Sequence, residues 1–229
     1  MRRVESELLR VRDTDRPVLL LGETGVGKEV AARQLHDESV RRGLPFVVVS
    51  CATLPVARAE SEMFGHERGA VTGSRAARVG LVEQAGGGTL FLDEVSALPP
   101  SLQTKLLRLL EDGSYRRVGS TLELVSDARI VSSSNAALSA LVADGRFRAD
   151  LYYRLNAIEL HIPPLRTRRE DVVPLAEHYL AQFARSAGHR VPTLTSTARA
   201  ALHDHDWPGN VRELRNRLER AVGLSAAAP

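Results

Sequence analysis

Residues 22–28 read GETGVGK, which sets Gly22, Gly27 and Lys28 in the spacing G-x-x-x-x-G-K directly after the apolar run Leu19-Leu20-Leu21. Glycines in such a turn let successive backbone N–H groups face phosphate oxygens at distances where a side chain would collide. A following helix contributes the positive end of its dipole, and Lys28 contributes a point charge for the outer phosphates. This stretch implies binding of a nucleoside triphosphate. The pattern ordinarily continues with Ser or Thr, whose hydroxyl would hold magnesium, and here Glu29 stands in that place.

A second constellation is Thr89-Leu90-Phe91-Leu92-Asp93-Glu94, a strand that ends in two adjacent acids. Carboxylates at the end of a buried strand are costly unless they meet a cation or take part in proton transfer. Next to a phosphate loop, Asp93 suits the magnesium shell and Glu94 suits polarising the attacking water. Ser134-Asn135 ends a neighbouring strand, where Asn135 either senses the γ-phosphate or caps the next helix. Arg148 and Arg154, in FRADLYYR, can stabilise charge on a transferring phosphoryl group, also from a neighbouring subunit, or can form ordinary salt bridges. Arg212 falls in the first turn of the last helix, which is unfavourable for the helix dipole and asks for an anion: a nucleotide phosphate, Glu213 or Glu219.

The elements that must position these residues are legible as periodicity. Strands are predicted at 17–21, 46–50, 89–92, 129–133 and 158–162, nearly continuous in apolar residues and alternating with helices. That pattern implies an α/β fold with a five-stranded parallel sheet covered on both faces and nucleotide at the carboxyl ends of the strands. An exposed helix is predicted at 5–14, and another at 101–112 with Leu102, Leu106, Leu109 and Leu110 on one face. After Pro163-Pro164 come three helices, at 171–187, 195–205 and 211–222, with Thr195 and Asn210 as N-caps. Two domains are expected, a core at 1–164 and a small helical lid at 165–229.

The chain has 229 residues, 43% of them hydrophobic and 26% charged, which suits a globular protein. One cysteine excludes a disulfide framework and fits a reducing, cytoplasmic setting. No apolar run approaches the roughly 20 residues of a membrane span, so no membrane partner is expected. Arg168-Arg169 could touch nucleic acid but reads better as a solvated face. His203-Asp204-His205-Asp206 offers ligand-type residues, yet its spacing splits them between helix faces, and it reads as a polar helix end. Cys51 reads as a small buried hydrophobe and His66 as structural.

In these residues the chain resembles the AAA+ ATPase domain of the sigma-54-dependent transcription activators. The resemblance spans about residues 18–222 and rests on GETGVGKE, EMFGHERGAVTGS, GGGTLFLDEVSALPPSLQTKLLRLLEDGSYRRVGS, FRADLYYRLN, PPLRTRRED and WPGNVRELRN, in that order. In that family Glu normally follows the loop lysine, which accounts for Glu29. The resemblance implies a phosphate loop of Gly22, Glu23, Thr24, Gly25, Val26, Gly27, Lys28 and Glu29. It makes Asp93 the magnesium ligand, Glu94 the catalytic base and Asn135 part of the first sensor. It makes Arg148 and Arg154 the trans-acting arginines, and Arg212 the second sensor. Its cofactors are ATP and Mg2+. It further implies a ring, usually a hexamer, whose ATP hydrolysis remodels sigma-54 RNA polymerase holoenzyme.

Three departures accompany the resemblance. The family's remodelling loop reads GAFTGA, against Gly69-Ala70-Val71-Thr72-Gly73-Ser74 here. The aromatic touches the sigma factor, and such an anchor can carry a few kcal/mol of an interface, so Val71 predicts a weakened contact. Ser50 replaces an asparagine that restrains the catalytic glutamate. The segment that helps to cradle adenine, a receiver domain and a helix-turn-helix are all expected to be missing, leaving no DNA-binding domain in this chain. These departures define an alternative: a degenerate nucleotide-binding regulator that oligomerises with or modulates a relative without contacting sigma-54. A phosphotransferase fits less well, because no acceptor site is visible and the segment 207–214 would go unexplained.

Overall fold

The computed structural model describes residues 2–70, 76–186, 188 and 190–226. Contacts divide the chain into two compact units, one of Arg2–Leu21 with Lys28–His161, the other of Gly22–Gly27 with Ile162–Pro229.

The first unit is built on strands β1 (Val18–Leu21), β2 (Phe46–Ser50), β3 (Thr89–Asp93), β6 (Arg129–Ser134) and β7 (Ile158–His161), with a hairpin of β4 (Ser114–Tyr115) and β5 (Leu124–Val125) between β3 and β6. The five longer strands form one parallel sheet in the order β2-β3-β6-β1-β7, each within a residue of its predicted bounds. Val18, Leu19 and Leu20 of β1 and Leu90, Phe91 and Leu92 of β3 are fully buried, as strands covered on both faces must be. Burying each such side chain contributes about 2 kcal/mol. The antiparallel hairpin has no counterpart among the predicted elements, since strands of two residues show no alternation.

Around the sheet lie helices α1 (Arg2–Val11), α2 (Lys28–Asp37), α3 (Ala59–Phe64), α4 (Leu81–Ala85), α5 (Pro100–Asp112), α6 (Leu138–Ala143) and α7 (Ala149–Leu155). The stripe expected on α5 is core: Leu102, Leu106 and Leu109 are buried. Helix α1 corrects the sequence reading. It ends at Val11 rather than continuing to 14, and it buries Val4 and Leu8, one turn apart. The Arg129 guanidinium donates to the carbonyls of Val11, at 2.7 Å, and Arg12, placing a cation on the negative end of the helix.

In the second unit, α8 (Val172–Ser186), α9 (Ser196–Asp204) and α10 (Asn210–Ala226) pack around Leu165, Val172, Ala176, Trp207, Leu214 and Leu218. Thr195 caps α9 as expected, accepting the Ala198 N–H at 3.1 Å. Asn210 does not cap α10. Its backbone is left-handed at φ 52° and its amide bonds elsewhere, while Glu213 Oε2 takes the Gly209 N–H at 2.9 Å. In the 203–206 stretch, His205 lies against Trp207 with ring centroids 4.5 Å apart, and Asp206 pairs with Arg169.

Cys51 is buried beyond the end of β2, and burial, then the charge of Asp93, pushes its thiol up to about 12. Ellman's reagent at pH 8 is expected to leave the folded chain unmodified and to titrate its single thiol after unfolding in guanidinium. Rapid reaction of the folded chain would contradict this burial.

Candidate functional site

In the second unit, Gly22–Gly27 form the turn predicted from the sequence. Gly25 has φ 79°, and a Cβ there would fall 2.5 Å from the Gly209 carbonyl oxygen and 3.0 Å from Arg212 Cβ, so no other residue fits. Three consecutive carbonyls of the turn are engaged. Asn210 Nδ2 donates to the Thr24 carbonyl at 3.1 Å, Arg212 N to that of Gly25 at 3.3 Å, and Arg168 Nη2 to that of Val26 at 2.8 Å. Glu23 receives both terminal nitrogens of Arg166, at 2.8 and 2.5 Å, and Asn210 Nδ2 at 3.1 Å. The Arg166 hydrogen bonds, then that of Asn210, hold the Glu23 carboxyl down at about 2.

In the first unit, Lys28 opens α2 and is buried, with Nζ 3.1 Å from Glu94 Oε1. Glu29 faces solvent in the same first turn, where an acid complements the helix dipole. Asp93 ends β3, and Glu94 comes next in the left-handed region at φ 55°, ψ 55°, a conformation that costs a non-glycine residue about 1 kcal/mol or more. Ser133 joins the two acids: its hydroxyl donates to Asp93 Oδ1 at 2.6 Å and accepts the Glu94 N–H at 3.0 Å. The Asn135 N–H donates to Glu94 Oε2 at 3.0 Å. Lysine, both acids and the strand-end asparagine are therefore brought together, and asparagine reaches the glutamate through its backbone.

Ser133 escapes the sequence reading. The signal for it is the run Ser132-Ser133-Ser134 closing an apolar strand, since buried hydroxyls at a strand end must find partners. Arg168 is a correction: instead of a solvated face it is 3% exposed, while Arg169 pairs with Asp206 and the His203 carbonyl.

The two candidate trans-acting arginines lie apart from the acids. Arg148 precedes α7 and is held by Asp150 at 2.7 and 3.0 Å, and Arg154 Nη2 stands 3.6 Å from Glu111. Their side chains are 46% and 57% exposed, and among the described residues no hydrogen bond or ion pair ties either to Asp93 or Glu94. Glu213, one anion expected for Arg212, is instead taken by Arg217 at 2.6 Å. Of the remodelling loop, Gly69 and Ala70 form a turn through Ala70 N to the Glu67 carbonyl at 3.1 Å, and Val71, Thr72, Gly73 and Ser74 lie outside the described residues. The base of that segment is tied down, with His66 bridged to Arg78 and Val118 and its Nδ1 2.6 Å from Ser61 Oγ.

Comparison with known proteins shows the family of the chain. Residues 1–161 match the sigma-54 interaction domain, and residues 166–228 match the AAA+ ATPase lid domain. The chain is 47% identical to the C4-dicarboxylate transport transcriptional regulatory protein DctD of Rhizobium meliloti, over all of this chain and 51% of that one. It is 45% identical to the Nif-specific regulatory protein of Azospirillum brasilense, over 98% of this chain and 36% of the relative. It thus spans about half or less of the length of these relatives. Among solved structures, NtrX from Brucella abortus in complex with ATP superposes with a TM-score of 0.90 at 39% identity, covering 100% of this chain and 52% of that one. With a domain match over most of its length and relatives of this identity, the chain belongs to the sigma-54 interaction family of AAA+ ATPase-type domains.

Proposed function

We propose that the chain is the motor of a transcription activator, hydrolysing ATP to ADP and phosphate to remodel RNA polymerase holoenzyme carrying sigma-54. The observation that carries this reading is the single network of Lys28, Asp93, Glu94, Ser133 and the Asn135 amide, in a chain that matches the sigma-54 interaction domain. The N–H groups of the phosphate loop, from Gly22 to Gly27, receive the phosphates, and Lys28 and Glu29 open the helix behind them. Glu94 is the general base. Its carboxylate is held by Lys28, and a γ-phosphate that draws Lys28 away leaves Glu94 ready to polarise a water. Asn135 reports that exchange as the first sensor, because its N–H binds the same carboxylate.

Asp93 offers hard carboxylate oxygens and would hold a magnesium ion. Such an ion would neutralise charge on the β- and γ-phosphates. Arg148 and Arg154, exposed and paired at the surface, serve the nucleotide of a neighbouring copy in a ring, a hexamer in the cytoplasm. Arg212 acts as the second sensor of a lid at 165–229 working against a core at 1–164, and residues 69–74 form the loop presented to sigma-54. The alternative of a degenerate regulator draws on departures such as Val71 and Ser50, and the family matches favour the motor.

Lys28→Ala is expected to abolish measurable ATP binding by calorimetry. Glu94→Gln should bind ATP as the parent does but release phosphate about 10²- to 10⁴-fold more slowly, the usual worth of a positioned base. Undiminished turnover in Glu94→Gln would remove it from that role. Specific ATPase rate should rise with protein concentration, and Arg148→Ala and Arg154→Ala should flatten the rise; a rate independent of concentration would rule out completion in trans. Val71→Phe should tighten binding to purified sigma-54 by tenfold or more, about 1.4 kcal/mol, and an unchanged dissociation constant would place the contact elsewhere.

A further inference from the structure

The outward face of the phosphate loop is held by groups that the fold keeps at a cost. Arg168 is 3% exposed, among the described residues its Nε has no hydrogen-bond partner, and the carboxylate it pairs with, Asp171, is 3.8 Å away. Burial pushes its pKa below the ordinary arginine value. A guanidinium so placed is poorly repaid by ion pairing. Asn210 is wholly buried in a left-handed conformation that favours glycine. Its amide is nevertheless fully used: Oδ1 accepts the Leu165 N–H at 2.8 Å, and Nδ2 reaches Glu23 and the Thr24 carbonyl. Both costly residues, together with the Arg212 backbone N–H, end on three consecutive carbonyls, those of Thr24, Gly25 and Val26.

A trans peptide plane couples each of these carbonyls to the amide beside it. The carbonyl of one residue and the N–H of the next point in opposite directions across the plane, and every peptide among the described residues is trans. Holding the carbonyls of Thr24, Gly25 and Val26 outward therefore turns the N–H groups of Gly25, Val26 and Gly27 inward, which is the arrangement of an anion-binding nest.

We infer that Arg168 and Asn210 are positioning residues that preset the phosphate loop from behind, so that the segment leading into the lid helices controls phosphate affinity through the loop's carbonyls. The clamp acts on phosphate and leaves the base and ribose untouched. It rests on the reading of residues 22–28 as a nucleotide site. Its strength depends on where Arg168 and the start of α10 stand: a shift of Arg168 loosens the Gly27 N–H, and a shift of the start of α10 loosens those of Gly25 and Val26.

The test compares ADP with adenosine, by calorimetry on the full chain with melting curves as a fold control. The parent should bind ADP more tightly than adenosine. Arg168→Met, which fills the same buried space without a donor, should weaken ADP about tenfold and leave adenosine unchanged. Arg168→Lys, which retains a single donor nitrogen, should recover part of the loss. Asn210→Asp keeps the acceptor for Leu165 while removing the donor to Thr24, and should repeat the selective loss should Arg168→Met fail to fold. In turnover the loss should appear in KM for ATP more than in kcat. ADP affinity unchanged in both Arg168→Met and Asn210→Asp, or adenosine weakened equally with ADP, would overturn the clamp while leaving the nucleotide site standing. A parent that binds ADP no better than adenosine would overturn both.

Discussion

Two adjacent carboxylates at the carboxyl end of an otherwise apolar strand must be compensated, and the first unit is arranged around that requirement. Glu94 is held between Lys28 Nζ at 3.1 Å and the Asn135 N–H at 3.0 Å, and Asp93 is bound by Ser133 at 2.6 Å. These partners come from the start of α2 and the end of β6, so the compensation exists only if β3 and β6 are paired in the observed register. Side chains alternate along a strand, and a slip of one residue would turn Ser133 to the opposite face and leave Asp93 without its donor. The fully buried Leu90, Phe91 and Leu92 supply the burial energy that fixes this register.

Strain gathers at the same points. Glu94, Trp207 and Asn210 have positive φ without being glycine, and each is held by contacts that overdetermine it. For Glu94 these are the Ser133 hydroxyl on its N–H and the two bonds to its carboxylate. For Trp207 they are the indole bond to the Leu202 carbonyl and the His205 ring. For Asn210 they are three amide hydrogen bonds. A residue kept in a costly conformation by several partners responds as a unit when one partner is lost. The contrast with Arg148 and Arg154 is physical: surface pairs near half exposure are worth little and can be exchanged for a better anion.

Much of the fold could be read from local pattern, because strands covered on both faces advertise themselves as apolar runs and the Leu102–Leu109 stripe repeats at helical spacing. The acids and the lysine were legible for a related reason, since each sits at a fixed offset from a strand end. What was misjudged had no local signal. α1 looked exposed because its two buried positions, Val4 and Leu8, are too few to mark a core face, and its end is set by Arg129, distant in sequence. Arg168 looked like surface because charged residues are mostly solvated, and only the Val26 carbonyl explains its burial.

The sequence by itself determined the residues available for chemistry: a glycine-rich turn, a lysine after it, acids at the end of a buried strand, and five strands apolar enough to form a parallel sheet. These depend on residue type and spacing, properties that act over a few residues. Tertiary structure alone decided how those groups are held. Ser133 bridging two acids, Asn210 joining Glu23, Thr24 and Leu165, and the Arg168 hold on Val26 link positions 39 to 187 residues apart in the chain. The physical reason is that hydrogen bonds are short and directional, so partners distant in sequence become defined only when packing of the sheet and of the lid helices brings them within bonding distance.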